Sequence, residues 1–90
     1  MKTKELTNKL EELGYSWDSY VYKNNTFIEI FDPCNEEYRD KEIAIVCVNK
    51  SYIFDTNTYL FERMAEKYQK ELHEILVKYS STPEEEREND

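Results

Sequence analysis

Glycine occurs once in this 90-residue chain, as Gly14, and histidine once, as His73. One glycine excludes the glycine-rich loops that cradle phosphates in nucleotide-binding proteins. One histidine excludes a two-histidine zinc face: His73-Glu74 opens an HExxH pattern, but Val77 stands where the second histidine belongs. Two cysteines, Cys34 and Cys47, allow one disulfide at most. Met1 to Leu10 lacks the apolar stretch of a secretory signal, so free thiols in a reducing cytoplasm are expected. The longest apolar run, Ile43 to Val48, is far short of the roughly 18 to 20 residues of a membrane span. Basic side chains are scarce as well, 12 against 20 acidic ones, for a net charge of −8. That balance disfavours direct binding of nucleic acid or of an anionic membrane, and favours a basic protein surface as partner.

Aromatic residues, by contrast, are plentiful: eight Tyr, four Phe and one Trp. With 39% apolar and 36% charged residues, the chain has enough to fold one compact domain and stay in solution. Leu6, Leu10 and Leu13 form one helical stripe that Thr3 can cap and Gly14 can end, which predicts a first helix from Lys4 to Leu13. From Tyr15 the period changes to two. YSWDSYVY and NTFIEIF read as a hairpin turning at Lys23-Asn24-Asn25, and Asp32-Pro33 ends its second strand. Residues 33–41 read as a polar loop. IAIVCV, apolar on both sides, reads as a central strand, covered on its second face by other parts of the chain or by a dimer partner, and SYIFD as a short fourth strand.

Thr58 to Tyr79 carries apolar residues at spacings of three and four, predicting one long amphipathic helix behind a cap in Asp55-Thr56-Asn57. The expected fold class is therefore α+β: an antiparallel meander of three or four strands with the N-terminal helix and the long C-terminal helix on one face, in the order α-β-β-β-β-α. Residues 1–80 form the single domain and 81–90 an acidic tail.

No catalytic constellation emerges. Cys34 has Asp32 and Arg39 near it in sequence but no histidine within reach, so it reads as a loop thiol, and Cys47 as a small core residue. Asp32, Glu36, Glu37 and Asp40 match a calcium loop in charge alone, without its order or its turn glycine. The chain is thus read as a non-enzyme with no metal and no cofactor. Alternation sends the aromatics of the first hairpin to both faces of the sheet, so some lie away from the helices. With the acidic loop that follows, they supply the candidate binding residues: Tyr20, Tyr22, Phe27, Glu36, Glu37 and Tyr38.

The C-terminal run Lys78-Tyr79-Ser80-Ser81-Thr82-Pro83-Glu84-Glu85-Glu86-Arg87-Glu88 resembles a segment, roughly Tyr-Ala-x-Thr-Pro-x-x-x-Arg-Glu, of small uncharacterised proteins from phages and prophages of Gram-positive bacteria. There too it follows a long helix, behind a small helix and several strands. Ser80 replaces the usual Ala, and the similar chains usually continue beyond Arg-Glu. The resemblance implies origin rather than activity. Thr82, Pro83 and Glu85 also spell the start of a helix, yet residues 84–90 hold no apolar side chain to dock one, which favours truncation of a longer chain over a segment that folds on a partner or a solvating tail. Half of the net charge falls in residues 83–90.

Together these features predict a cytoplasmic accessory protein of a phage or prophage that binds a host or phage protein. Alternatives are an acidic nucleic-acid mimic that inhibits a host defence protein and a self-associating module that forms a homodimer.

Overall fold

The computed structural model describes residues 1–87; residues 88–90, the end of the expected acidic tail, lie outside the described residues. The elements are α1 (Thr3–Glu12), β1 (Ser16–Tyr22), β2 (Asn25–Phe31), β3 (Glu42–Cys47), β4 (Phe54–Thr56), α2 (Thr58–Phe61) and α3 (Glu66–Ser80), followed by a 3-10 turn at Glu84–Glu86. The strands pair antiparallel in the order β1-β2-β3-β4. This is the α+β meander that the sequence pattern predicts.

Register explains the core. Ile28 lies opposite Val46 and Ile30 opposite Ala44, so these four share a face, and all are buried with Leu6 and Leu10 of α1 and Leu72, Leu76 and Tyr79 of α3. A bulge between Ile30 and Phe31 leaves Ile43 out of the ladder and lets it join the same core.

The connections follow local chemistry. Leu13 ends α1 and Gly14 takes φ 91° behind it. The Gly14 N–H then reaches the Glu11 carbonyl and the Tyr15 N–H the Leu10 carbonyl, a Schellman motif. Lys23 and Asn24 both take positive φ, 50° and 66°, as a two-residue type I′ hairpin requires, so Asn25 belongs to β2 rather than to the turn. Asn49 secures that hairpin from the far side: its Oδ1 accepts the Thr26 N–H at 2.9 Å and its Nδ2 donates to the Asn24 carbonyl at 3.2 Å.

The single helix expected over Thr58–Tyr79 is two helices. Ala65 is extended (φ −60°, ψ 142°), and the Gln69 side chain donates to the carbonyls of Phe61 at 2.7 Å and Met64 at 3.0 Å. The Phe61 carbonyl closes α2 and that of Met64 lies in the turn after it, so the periodic run breaks where a side chain offers its backbone a partner. Leu60 is buried in the core, with Phe61 and Met64 packed half-buried against it, and Asn57 Oδ1 accepts the Leu60 N–H.

The segment after α3 docks without any apolar residue. Arg87 is 1% exposed. Its Nε donates to the Thr82 carbonyl at 2.9 Å, Nη2 to Ser80 at 2.7 Å, and Nη1 to Cys47, Val48 and Lys50 at 3.0 to 3.1 Å. Its own carbonyl accepts the Thr3 N–H at 2.9 Å. Thr3 therefore does not cap α1; its hydroxyl shares a hydrogen bond with Tyr79 instead. Thr82 likewise caps nothing after it, its Oγ1 donating back to the Lys78 carbonyl at 2.8 Å. The strand expected at SYIFD shrinks to Phe54–Thr56 because the backbone before it turns onto Arg87 and onto Ser80, whose carbonyl accepts the Tyr52 N–H.

Candidate functional site

The helices pack on one face of the four-stranded sheet. In register, the other face carries Asp18, Tyr20 and Tyr22 from β1, Phe27, Glu29 and Phe31 from β2, and Ile45 and Cys47 from β3; it is open along β1, half-buried along β2 and closed at Cys47. The Tyr20 and Phe27 rings stack at 5.4 Å between centroids, a cross-strand pair that fixes the hairpin's shape. Tyr22 remains 59% exposed, and Lys23 in the turn already sets its ammonium 5.3 Å from the Tyr22 ring centroid. The face therefore can bind cations through its rings.

Its acids are crowded. Burial, then the charges of Glu42 and Asp18, then a hydrogen bond with the Glu42 carboxyl together raise the pKa of Glu29. The Tyr20 hydroxyl is raised too, by burial and by Glu29 and Glu42. None of Asp18, Glu29 and Glu42 has an ion-pair partner among the described residues. All seven residues of β1 are exposed. At its outer edge the N–H of Ser19, which the hairpin register turns away from β2, is taken by the Asp18 carboxylate at 2.9 Å. That contact blunts the edge against pairing with a further strand and leaves the flat of the sheet as the accessible surface.

A second feature lies on the helix side. A cleft of about 400 Å³ opens between the loop after β2 and the α2–α3 junction. Tyr15, Tyr38 and Tyr68 wall it, with Leu13, Ile43 and Met64 as its apolar surface. Burial foremost, with the nearby charges of Asp32 and Glu71, pushes the Tyr15 hydroxyl up to about 12, so it stays protonated. Arg63 lines the same cleft; its guanidinium lies 4.3 Å from the Tyr59 ring centroid and 5.4 Å from that of Tyr38, and it donates to the Tyr59 hydroxyl. Burial foremost, then the Glu37 carboxylate beside it, raises the Tyr38 hydroxyl against the opposing charge of Arg63, although it makes no hydrogen bond of regular geometry among the described residues.

The six expected binding residues separate accordingly. Tyr20, Tyr22 and Phe27 share the open face. Glu36 and Glu37 are exposed in the loop after β2. Tyr38 is buried at the cleft, in contact with the core and not with the open face. Cys34 is exposed at the cleft and Cys47 is buried. His73 is exposed, edge-on to Phe54. Among the described residues no cluster of three or more His, Cys, Asp or Glu converges on a metal position, and no helix is long and apolar enough to cross a membrane.

Sequence reasoning missed Glu29 and Glu42 on the face and Tyr15, Arg63 and Tyr68 in the cleft. For Glu29 the signal was present: it alternates with Ile28 and Ile30, which places it opposite the core. The cleft residues come from four separate segments and carry no shared spacing. Comparison with family models, curated proteins and solved structures gives no match for the chain.

Proposed function

We propose that the chain is a phage- or prophage-encoded accessory protein that acts by binding another protein, with the open sheet face taking a basic segment of that partner. The observation that supports this most is the combination on one face of exposed or half-exposed aromatic rings with carboxylates that have no ion-pair partner among the described residues. A lysine or arginine laid across Tyr20, Tyr22 and Phe27 gains cation–π contact and relieves the repulsion among Glu29, Glu42 and Asp18. A second copy of the chain brings more acid to an acidic face, which weighs against self-association there. The origin rests on the resemblance of residues 78–88 alone. Within that run Tyr79, Thr82 and Arg87 are buried, so the residues that carry the resemblance hold the fold together rather than contact a partner.

The test is affinity capture from a Gram-positive host lysate with the wild type, with Tyr20→Ser/Tyr22→Ser, with Glu29→Lys, and with Val77→Ser on the exposed side of α3 as control. The expected result is a partner retained by the control, lost by both face variants and released by raised salt. Identical capture by all four proteins would overturn the assignment to this face. A concentration-dependent dimer in sedimentation, abolished by Tyr20→Ser/Tyr22→Ser, would replace it with self-association.

A further inference from the structure

We infer that the cleft on the helix side is a binding site for a small aromatic carboxylate. It is separate from the open sheet face and does not depend on the reading given to that face. Its volume of about 400 Å³ falls in the range of pockets that enclose small organic ligands, and its walls have the usual composition of such sites, aromatic and apolar with a few convergent polar groups. The rings of Tyr15, Tyr38 and Tyr68 suit a flat ligand body.

Charge decides which end of the ligand goes where. Asp32 and Glu71 stand close enough to Tyr15 to oppose its ionisation, so the Tyr15 end repels an anion. Arg63 is the cation of the lining, and no carboxylate pairs with it among the described residues. Its guanidinium is held against the Tyr59 and Tyr38 rings and tied to the Tyr59 hydroxyl. A guanidinium fixed in this way keeps donors free in a planar fork, the geometry that receives a carboxylate through two parallel hydrogen bonds. At the same wall burial and the Glu37 carboxylate raise the Tyr38 hydroxyl, and Arg63 offsets them.

The exposed thiol at the cleft supplies the readout. Cys34 lines the site and Cys47 is buried, so a neutral alkylating reagent, iodoacetamide, reports on Cys34 in the folded protein. Three probes of one shape, indole-3-acetate, indole and tryptamine, separate the anion from the ring and from the opposite charge. Indole-3-acetate is expected to slow alkylation at about tenfold lower concentration than indole, the factor set by one charge-assisted hydrogen bond, with tryptamine weaker than either. Arg63→Gln, at an exposed position, should bring indole-3-acetate down to indole, whereas Asp32→Asn should strengthen it. NMR shifts of the Tyr15 and Tyr38 rings should track the same titration. Failure of millimolar indole-3-acetate to protect Cys34, protection unchanged in Arg63→Gln, tryptamine equal to the acid, or Tyr rings that do not shift would each overturn the proposal.

Discussion

At the scale of single residues, Arg87 is the least ordinary side chain in the molecule. Its guanidinium is buried without a carboxylate among the described residues, and the charge is met by five main-chain carbonyls and by the Tyr79 ring, 4.6 Å from centroid to guanidinium carbon. One of those carbonyls, Ser80, ends α3 and a second, Thr82, lies just past it, where a cation complements the negative end of the helix. Three belong to the end of β3 and the turn after it. Truncating Arg87 strands all five carbonyls, so Arg87→Ala should cost about 3 kcal/mol or more in urea unfolding. Arg87→Lys should recover only part, because an ammonium cannot reproduce the planar fork. A change below about 0.5 kcal/mol, the size expected of an ordinary surface site, would mean that Arg87 does not hold the segment in place. Tyr15 makes a second prediction. Its folded hydroxyl is pushed up to about 12, above the ordinary value near 10. The folded protein therefore keeps a proton that the unfolded chain gives up. Its contribution is complete below pH 10 and disappears between about pH 10 and 12, a loss of about 2 to 3 kcal/mol when complete. Urea midpoints should fall over that window in the wild type and fall less in Tyr15→Phe.

At the scale of elements, periodicity was a good guide wherever one backbone conformation served a whole run. The two-residue alternation located β1 and β2, and the Leu6–Leu10–Leu13 stripe located α1; in β2 and α1 the buried side chains follow the ladder or helix without interruption, and β1 follows β2 through the hairpin register. It misled at Thr58–Tyr79. Hydrophobic spacing stays in phase across the junction, while the break is made by Gln69, a polar residue whose bonds to Phe61 and Met64 leave no trace in that pattern. Docking of the turn after α3 was illegible for a similar reason: with no apolar residue in it, hydrophobic patterning has nothing to register, and the one base among the acids that follow Pro83 was the only sign. The cleft was beyond reach because it is assembled by the closure of four segments. These readings make the α2–α3 junction testable. Gln69→Ala should expose the two carbonyls, destabilise the domain by about 1 kcal/mol and speed amide exchange in residues 58–65 ahead of global unfolding. Exchange that changes uniformly along the chain would show that the break does not depend on Gln69.

At the scale of the whole molecule, the two sides of the sheet have been given opposite treatments. On the helix side polar groups are consumed internally: Arg87, Tyr79, Thr3 and Thr82 bond to one another or to main chain. On the open side Asp18, Glu29 and Glu42 are gathered without an ion-pair partner among the described residues. The direction of the Glu29 shift gives the sign of the effect expected on the free protein. Its carboxyl is raised, first by burial and then by Glu42 and Asp18, so the folded state favours the protonated form. The stabilising contribution is present below the ordinary carboxylate range and is lost as pH rises through the folded value, which makes ionised Glu29 a liability at neutral pH. A liability retained on an exposed face is expected where a partner of opposite charge removes it. Glu29→Gln should therefore raise the urea midpoint at pH 7, with the gain shrinking as the pH falls to where Glu29 is protonated in both states, and should weaken capture of a basic partner. Equal midpoints at pH 7 would show that the crowding of these carboxylates is not felt by the fold, and the electrostatic case for a basic segment on this face would then rest on the aromatic rings alone.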